Sequence, residues 1–157
     1  IDVINPMDGG ALSPERAGYL PLSPLVELCY SGRYTFPELM RKMVGRGGLI
    51  AHLGTGDARE VESRIDAGDA QAELVYQAMA YQIAKELAAM TVVVNGRFDA
   101  IVLTGGLAYS RRLVAMIRER VQFLGQVLVY PGEDELLALA QGALRVLHGE
   151  ESAKIYE

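Results

Sequence analysis

The sequence has little of what several large function classes require. It holds one cysteine, Cys29, in 157 residues, so no internal disulfide can form and a reducing compartment is expected. Net charge is −5 and no long basic run occurs, which argues against a nucleic-acid partner. No apolar run approaches the length of a bilayer span and the first residues do not read as a signal peptide. The expectation is a cytoplasmic protein with no membrane contact. The two histidines, His52 and His148, stand apart from each other and from Cys29, so no zinc-type ligand set is supported. Neither a GxGxxG fingerprint nor a phosphate-loop motif is present. Internal repeats and low-complexity segments are also missing. Nor does the sequence open on methionine: "IDVIN" alternates like a strand already under way, as expected for part of a longer chain.

What is present is ordinary globular composition, 50% hydrophobic and 22% charged, enough for one core. After the opening strand piece at Ile1–Ile4 comes "SPERAGYLPLSP", whose three prolines predict a loop. Short helices are predicted near Leu25–Tyr30 and Pro37–Val44, and "GRGGLIAHLGTGDAR" reads as loop with an extended piece at Leu49–Leu53. The strongest periodicity covers Ala70–Asn95. Val75, Met79, Ile83, Leu87, Met90 and Val94 fall on one stripe of a long helix, stopped by Asn95-Gly96. Ala100–Leu103 and Val127–Tyr130 read as buried strands, with helices over Ser110–Leu124 and Asp134–Leu147. Alternating helix and strand at this spacing predicts an α/β fold, a mostly parallel sheet flanked by helices. The tail "GEESAKIYE" is polar and predicted to fray.

Four places draw chemical interest. Thr104-Gly105-Gly106 ends a strand at the edge where open parallel sheets bind ligands, and the following helix N-terminus offers oriented N–H groups. Two readings are open: close approach of a ligand to bare backbone, or a tight turn that needs positive φ. In "GTGDARE", Asp57 and Glu60 fit a capping box for a helix over "DAREVESRI", which leaves Arg59 and the glycines unexplained. In "YPGEDEL", the acids Glu133, Asp134 and Glu135 either stabilise a helix first turn or serve a hard cation beside phosphate oxygens. Arg16, in a proline-bounded loop, is either a solvated charge or a guanidinium presented to a carboxylate or phosphate. Cys29 is expected in the core, and Tyr76 and Tyr81 as packing residues of the long helix.

Six stretches in order carry a resemblance: "DGGALSPERAGYLP", "LCYSGRYT", "GTGDAREVE", "AMAYQIAKE", "DAIVLTGGLAYS" and "VYPGEDELLALAQGALRVL". From about Ile1 to Gly149 the sequence resembles the C-terminal part of butyrate kinases, in the acetate/butyrate kinase family of the actin-like ATPase superfamily. The resemblance implies a ribonuclease H-like domain over residues 1–149, incomplete at its N-terminal edge, with a polar tail at 150–157. It implies transfer of the ATP γ-phosphoryl group to butanoate, giving butanoyl phosphate and ADP, with Mg²⁺. By resemblance, Gly105, Gly106, Leu107, Ala108 and Tyr109 match the adenosine-binding turn, and Asp57, Ala58 and Arg59 a second nucleotide-binding segment. Arg16 matches the arginine that stabilises the transferring phosphoryl group. Acetate kinases carry paired glutamates after the equivalent proline; an ungapped match puts Asp134 at the metal-serving acid, with Glu135 next. The family's N-terminal domain, with its catalytic aspartate and acyl pocket, has no counterpart here, so the chain alone is expected to be inactive. A homo-oligomer is expected. The alternatives are a kinase for acetate, propionate or a branched-chain acid, and a non-catalytic actin-like interaction domain.

Overall fold

The structure is a computed structural model that describes residues 9–132 and 134–153. The predicted strand at Ile1–Ile4 and the acid Glu133 lie outside the described residues, as does the side chain of Glu135. Seven helices are seen among the described residues: α1 (Leu22–Tyr30), α2 (Phe36–Met43), α3 (Gly48–Leu53), α4 (Ala58–Asp66), α5 (Ala70–Val93), α6 (Arg111–Val121) and α7 (Glu135–Leu147). Two strands, β1 (Ile101–Gly105) and β2 (Val127–Pro131), flank α6, and a 3₁₀ turn over Gly106–Tyr109 joins β1 to it.

The core is mainly helix against helix. α5 presents Val75, Tyr76, Met79, Ala80 and Ala84 as a buried face, packed with Val61 of α4, Leu49 and Leu53 of α3, and Leu113, Ile117 and Val121 of α6. Ile83 and Leu87 continue the stripe at the margin of this cluster. The long helix leans on α6, α4 and α3 more than on the sheet. Length is the reason: a 24-residue helix spans about 36 Å, whereas a five-residue strand covers about 16 Å. Polar hinges fix the helix angles. Asp69 caps α5 by accepting from the Ala72 N–H at 3.0 Å, and its other oxygen takes Arg64 at 2.7 and 2.9 Å. Arg64 also donates to the Leu53 carbonyl at the end of α3, 2.7 Å away.

β1 and β2 pair in parallel, Ile101 opposite Val127 through Gly105 opposite Pro131. Both strands therefore end on the same side. There the Gly105 N–H donates to the Gly132 carbonyl at 3.1 Å, and the Gly132 N–H returns to Gly105 at 3.3 Å.

The loop carrying Arg16 is held mainly by backbone hydrogen bonds, with Gln82 and Ser13 side chains accepting from its Leu12 and Arg16 N–H groups. The Leu49 and Ile50 N–H groups donate to the carbonyls of Ser13 and Pro14, the Gly45 and Gly47 N–H groups to Glu15, and the Ala17 N–H to Met43. This crossing depends on missing side chains: a Cβ on Gly48 would overlap the Ser13 carbonyl, and one on Gly47 the Ala17 amide. Gly48 also sits at φ 57°, where a side chain is disfavoured.

The structure departs from several sequence expectations. Leu49–Leu53 is not extended but helical, because Gly48 admits the crossing chain and Gly54, at φ 79°, ends the helix left-handed. The proline loop is shorter than expected: Pro21 is the N-cap of α1 and Pro24 sits in its first turn, where a proline costs no hydrogen bond. Cys29 is exposed rather than core, since α1 buries none of its residues. The apolar face of α7 is also uncovered, with Leu136, Leu137, Leu144 and Leu147 all exposed among the described residues. No described helix is long and apolar enough to cross a membrane.

Candidate functional site

Two segments far apart in sequence form opposite walls of one cleft of about 920 Å³. One wall is Gly56–Arg59, leading into α4; the other is Gly106, Leu107 and Tyr109 of the turn after β1, continued by Ser110, Arg111 and Arg112. The size suits a small organic ligand with several polar groups.

The first wall is shaped by Asp57, the N-cap of α4. Its Oδ1 accepts from the Arg59 N–H at 2.9 Å, and both its oxygens take the Arg59 guanidinium at 3.1 and 2.7 Å. The Arg59 side chain is 91% exposed, so the pair stands at the cleft mouth in solvent. The guanidinium and backbone N–H of Arg59 hold the Asp57 carboxyl at about 2, below its ordinary 3.8. The expected capping box does not form. Glu60 accepts instead from the Thr55 hydroxyl at 2.7 Å, and Thr55 Oγ1 accepts from the Asp57 N–H at 3.2 Å. A threonine two residues before the cap reaches both groups, so it replaces the reciprocal bond.

The second wall separates the two glycines of the pair. The positive φ lies at Gly105, 83°; Gly106 is not among the positive-φ glycines. Gly105 is therefore the residue the turn requires, while Gly106 lines the cleft with an exposed backbone. Ala108 points the other way and is buried under the turn. Tyr109 is largely exposed. Its hydroxyl and the Asp134 carboxylate flank Gly132, lying 3.4 and 3.8 Å from where a Cβ there would stand. Asp134 occupies the N-cap position of α7 but makes no capping hydrogen bond, so its carboxylate is not used to hold the helix. It does not line the large cleft. Among the described residues no three metal-binding side chains converge.

Arg16 also lies outside the cleft. Its Nε donates to Ser13 Oγ at 3.3 Å, and it shares a smaller neighbouring cavity with Leu107, which lines both spaces. The backbone bridge between Arg16 and Val44 fixes the loop that presents it. Sequence reasoning passed over Glu62, Asp66, Ser110, Arg111 and Arg112, all in the cleft lining. A signal existed: Ala58, Glu62 and Asp66 recur every four residues and so share one face of α4.

The cleft thus lies at the carboxyl end of a parallel α/β unit, walled by a glycine turn and a helix N-terminus, and comparison with known proteins gives its family. The pattern of the Acetokinase family matches residues 6–153. The chain belongs to the acetokinase family. It is 56% identical over 156 residues to "Probable butyrate kinase 2" of Caldanaerobacter subterraneus, covering 99% of this chain and 44% of that protein. It thus spans less than half the length of the curated relative it matches. Among solved structures, the acetate kinase of Porphyromonas gingivalis superposes with a TM-score of 0.78 at 19% identity, covering 88% of this chain and 41% of that one. A propionate kinase from Francisella tularensis gives 0.72 at 21% identity, covering 82% and 39%. The α/β architecture is therefore that of the acetokinase members, the actin-like ATPase fold.

Proposed function

We propose that this chain is the nucleotide-binding part of a cytoplasmic carboxylate kinase, with residues 1–149 as the domain and 150–157 as its tail. The observation that carries the reading is the convergence of Asp57–Arg59 and Gly106–Tyr109 on one cleft in an acetokinase chain. In this reading adenosine lies against the bare backbone of Gly106 with Leu107 and Tyr109 beside it, over a turn set by Gly105 and anchored by Ala108. Ala58 and the Asp57–Arg59 pair close the opposite side. The acceptor is a short-chain carboxylate, butanoate by likeness to the butyrate kinase relative. Its oxygen forms a bond to the γ-phosphorus while the bond from that phosphorus to the β–γ bridging oxygen breaks. The electron pair leaves with ADP, and butanoyl phosphate forms. Arg16, on its pinned loop past Leu107, neutralises charge on the transferring group. The rest of the family architecture supplies the acyl pocket, and the active protein is a homo-oligomer.

Mg²⁺ fits the donor chemistry of the β2–α7 connection: Asp134 is exposed and uncommitted to capping, and Glu135 follows it. A cation of this type takes one or two carboxylates and leaves its other positions to water and phosphate oxygens. When bound, it would neutralise charge on the nucleotide phosphates.

Two substitutions in the complete gene product test this reading. Gly106→Val places a branched side chain where adenosine would lie, and is expected to weaken ATP binding by calorimetry at nearly constant Tm. Arg16→Ala is expected to lower kcat by about 10³ with a far smaller change in the KM for ATP. ATP binding by Gly106→Val equal to wild type would remove the nucleotide from the cleft. An unchanged kcat would remove Arg16 from the chemistry.

A further inference from the structure

Along the cleft lining, three hydroxyl and carboxylate oxygens from three helices meet. Glu62 Oε1, on α4, accepts from the Tyr76 hydroxyl of α5 at 2.7 Å and from the Ser110 hydroxyl, which caps α6. The Tyr76 and Ser110 oxygens are 3.2 Å apart, closing a triangle. Ser110 Oγ also accepts from the Leu113 N–H at 2.9 Å, so one atom is both the cap of α6 and a ligand of Glu62. A second rung runs parallel. Arg112 donates to the Glu62 carbonyl at 3.4 Å and to Asp66 at 2.7 Å.

The position of this node gives it a task. Glu62 lies one helical turn beyond Ala58 on the same face, and Ser110 directly follows Tyr109. The node therefore joins the two walls of the cleft, within one turn of each. Its third corner is the fully buried Tyr76, part of the core, so the joint cannot drift with solvent-exposed side chains. Burial pushes the Tyr76 hydroxyl above its usual range, which keeps it protonated as a donor to Glu62.

We propose that Glu62 is a positioning residue for the nucleoside: by holding Ser110 and Tyr76 it sets the distance between the Asp57–Arg59 wall and the Gly106–Tyr109 turn. This rests on the nucleotide reading of the cleft. Glu62 acts through Ser110, and the inference requires no contact between Glu62 and the ligand. A carboxylate suits the task because one oxygen can accept two hydroxyls, and bonds to a charged acceptor are shorter and stiffer than neutral ones.

The test uses the complete gene product, with ATP titrated by calorimetry and steady-state kinetics in both substrates. Glu62→Ala is expected to raise the Kd and KM for ATP by about tenfold or more, the loss expected for hydrogen bonds to a charged group. The kcat and the carboxylate KM should stay within about threefold, since neither depends on nucleoside spacing. Glu62→Gln retains an oxygen that accepts both hydroxyls, and is expected to recover most of the ATP affinity. Glu62→Ala combined with Ser110→Ala should be no worse than the poorer single variant, because both cut the same tie. A merely structural Glu62 would lower Tm and apparent kcat by reducing the folded fraction while leaving the ATP KM unchanged, and that result overturns the inference. If Glu62→Ala does not fold, Ser110→Ala severs the tie from the other side, and an unchanged ATP KM there overturns it equally. Wild-type protein that binds no ATP would overturn the nucleotide reading itself, which is a separate result from ATP binding that ignores Glu62.

Discussion

α5 and α7 have similar apolar content and opposite fates. α5 buries Tyr76, Met79 and Ala80 completely, while α7 leaves Leu136 84% and Leu139 71% exposed. Neither its residue types nor its periodicity distinguishes α7 from a core helix. The difference is neighbours: α3, α4 and α6 surround α5, and no described element packs closely on α7. An apolar stripe states that a helix can be buried, and the partner determines whether it is.

The largest expected effect tests that contrast directly. Met79→Ala should cost about 2–5 kcal/mol in chemical denaturation, through lost transfer energy and the cavity left behind. Leu139→Ala should stay within about 0.5 kcal/mol, as for other surface positions. If Leu139→Ala costs as much as Met79→Ala, α7 is covered in the protein by something beyond the residues described here.

A somewhat smaller effect separates the two glycines of the turn. Gly105→Ala forces a side chain to φ 83° and is expected to cost about 1–2 kcal/mol of stability, read as a lowered Tm. Gly106 carries no such requirement, so Gly106→Ala should leave Tm nearly unchanged. Equal losses at both positions would mean that the turn needs its glycines for folding alone.

Cys29 probes α1, which like α2 buries none of its residues. A thiol reagent should modify it in the native protein without prior unfolding; protection released only by denaturant would place α1 under cover. The smallest effect belongs to Asp57. Its carboxyl titrates at about 2 in the folded chain and near 3.8 when unfolded, so its stabilising contribution is complete above about 3.8 and is lost as pH falls towards 2. Asp57→Asn should flatten the acid limb of the stability profile in that window. The change should be slight, because the pair with Arg59 stands in solvent.

Sequence alone determined the elements whose signals are local. The stripe from Val75 to Val94 produces α5 because a repeat of three to four residues puts those side chains on one face, and Asn95-Gly96 stops it, with Asn95 at φ 52°. The apolar runs at Ile101 and Val127 produce β1 and β2 in parallel, since the helix between them carries the chain back. The glycine turn, the Asp57 cap and the Arg16 loop were likewise legible as motifs. Tertiary structure decided what depends on residues remote in sequence. α3 exists as a helix because the Ser13–Ala17 backbone docks at Gly47 and Gly48, an interaction no window around Leu49 contains. Cys29 and α7 are exposed for want of neighbours that no periodicity can supply. The Glu62–Tyr76–Ser110 joint spans 48 residues between its ends, and only packing brings its oxygens together. Local chemistry fixes how each segment can fold, while burial and long-range hydrogen bonds are properties of pairs of segments and are settled only once the pairs have met.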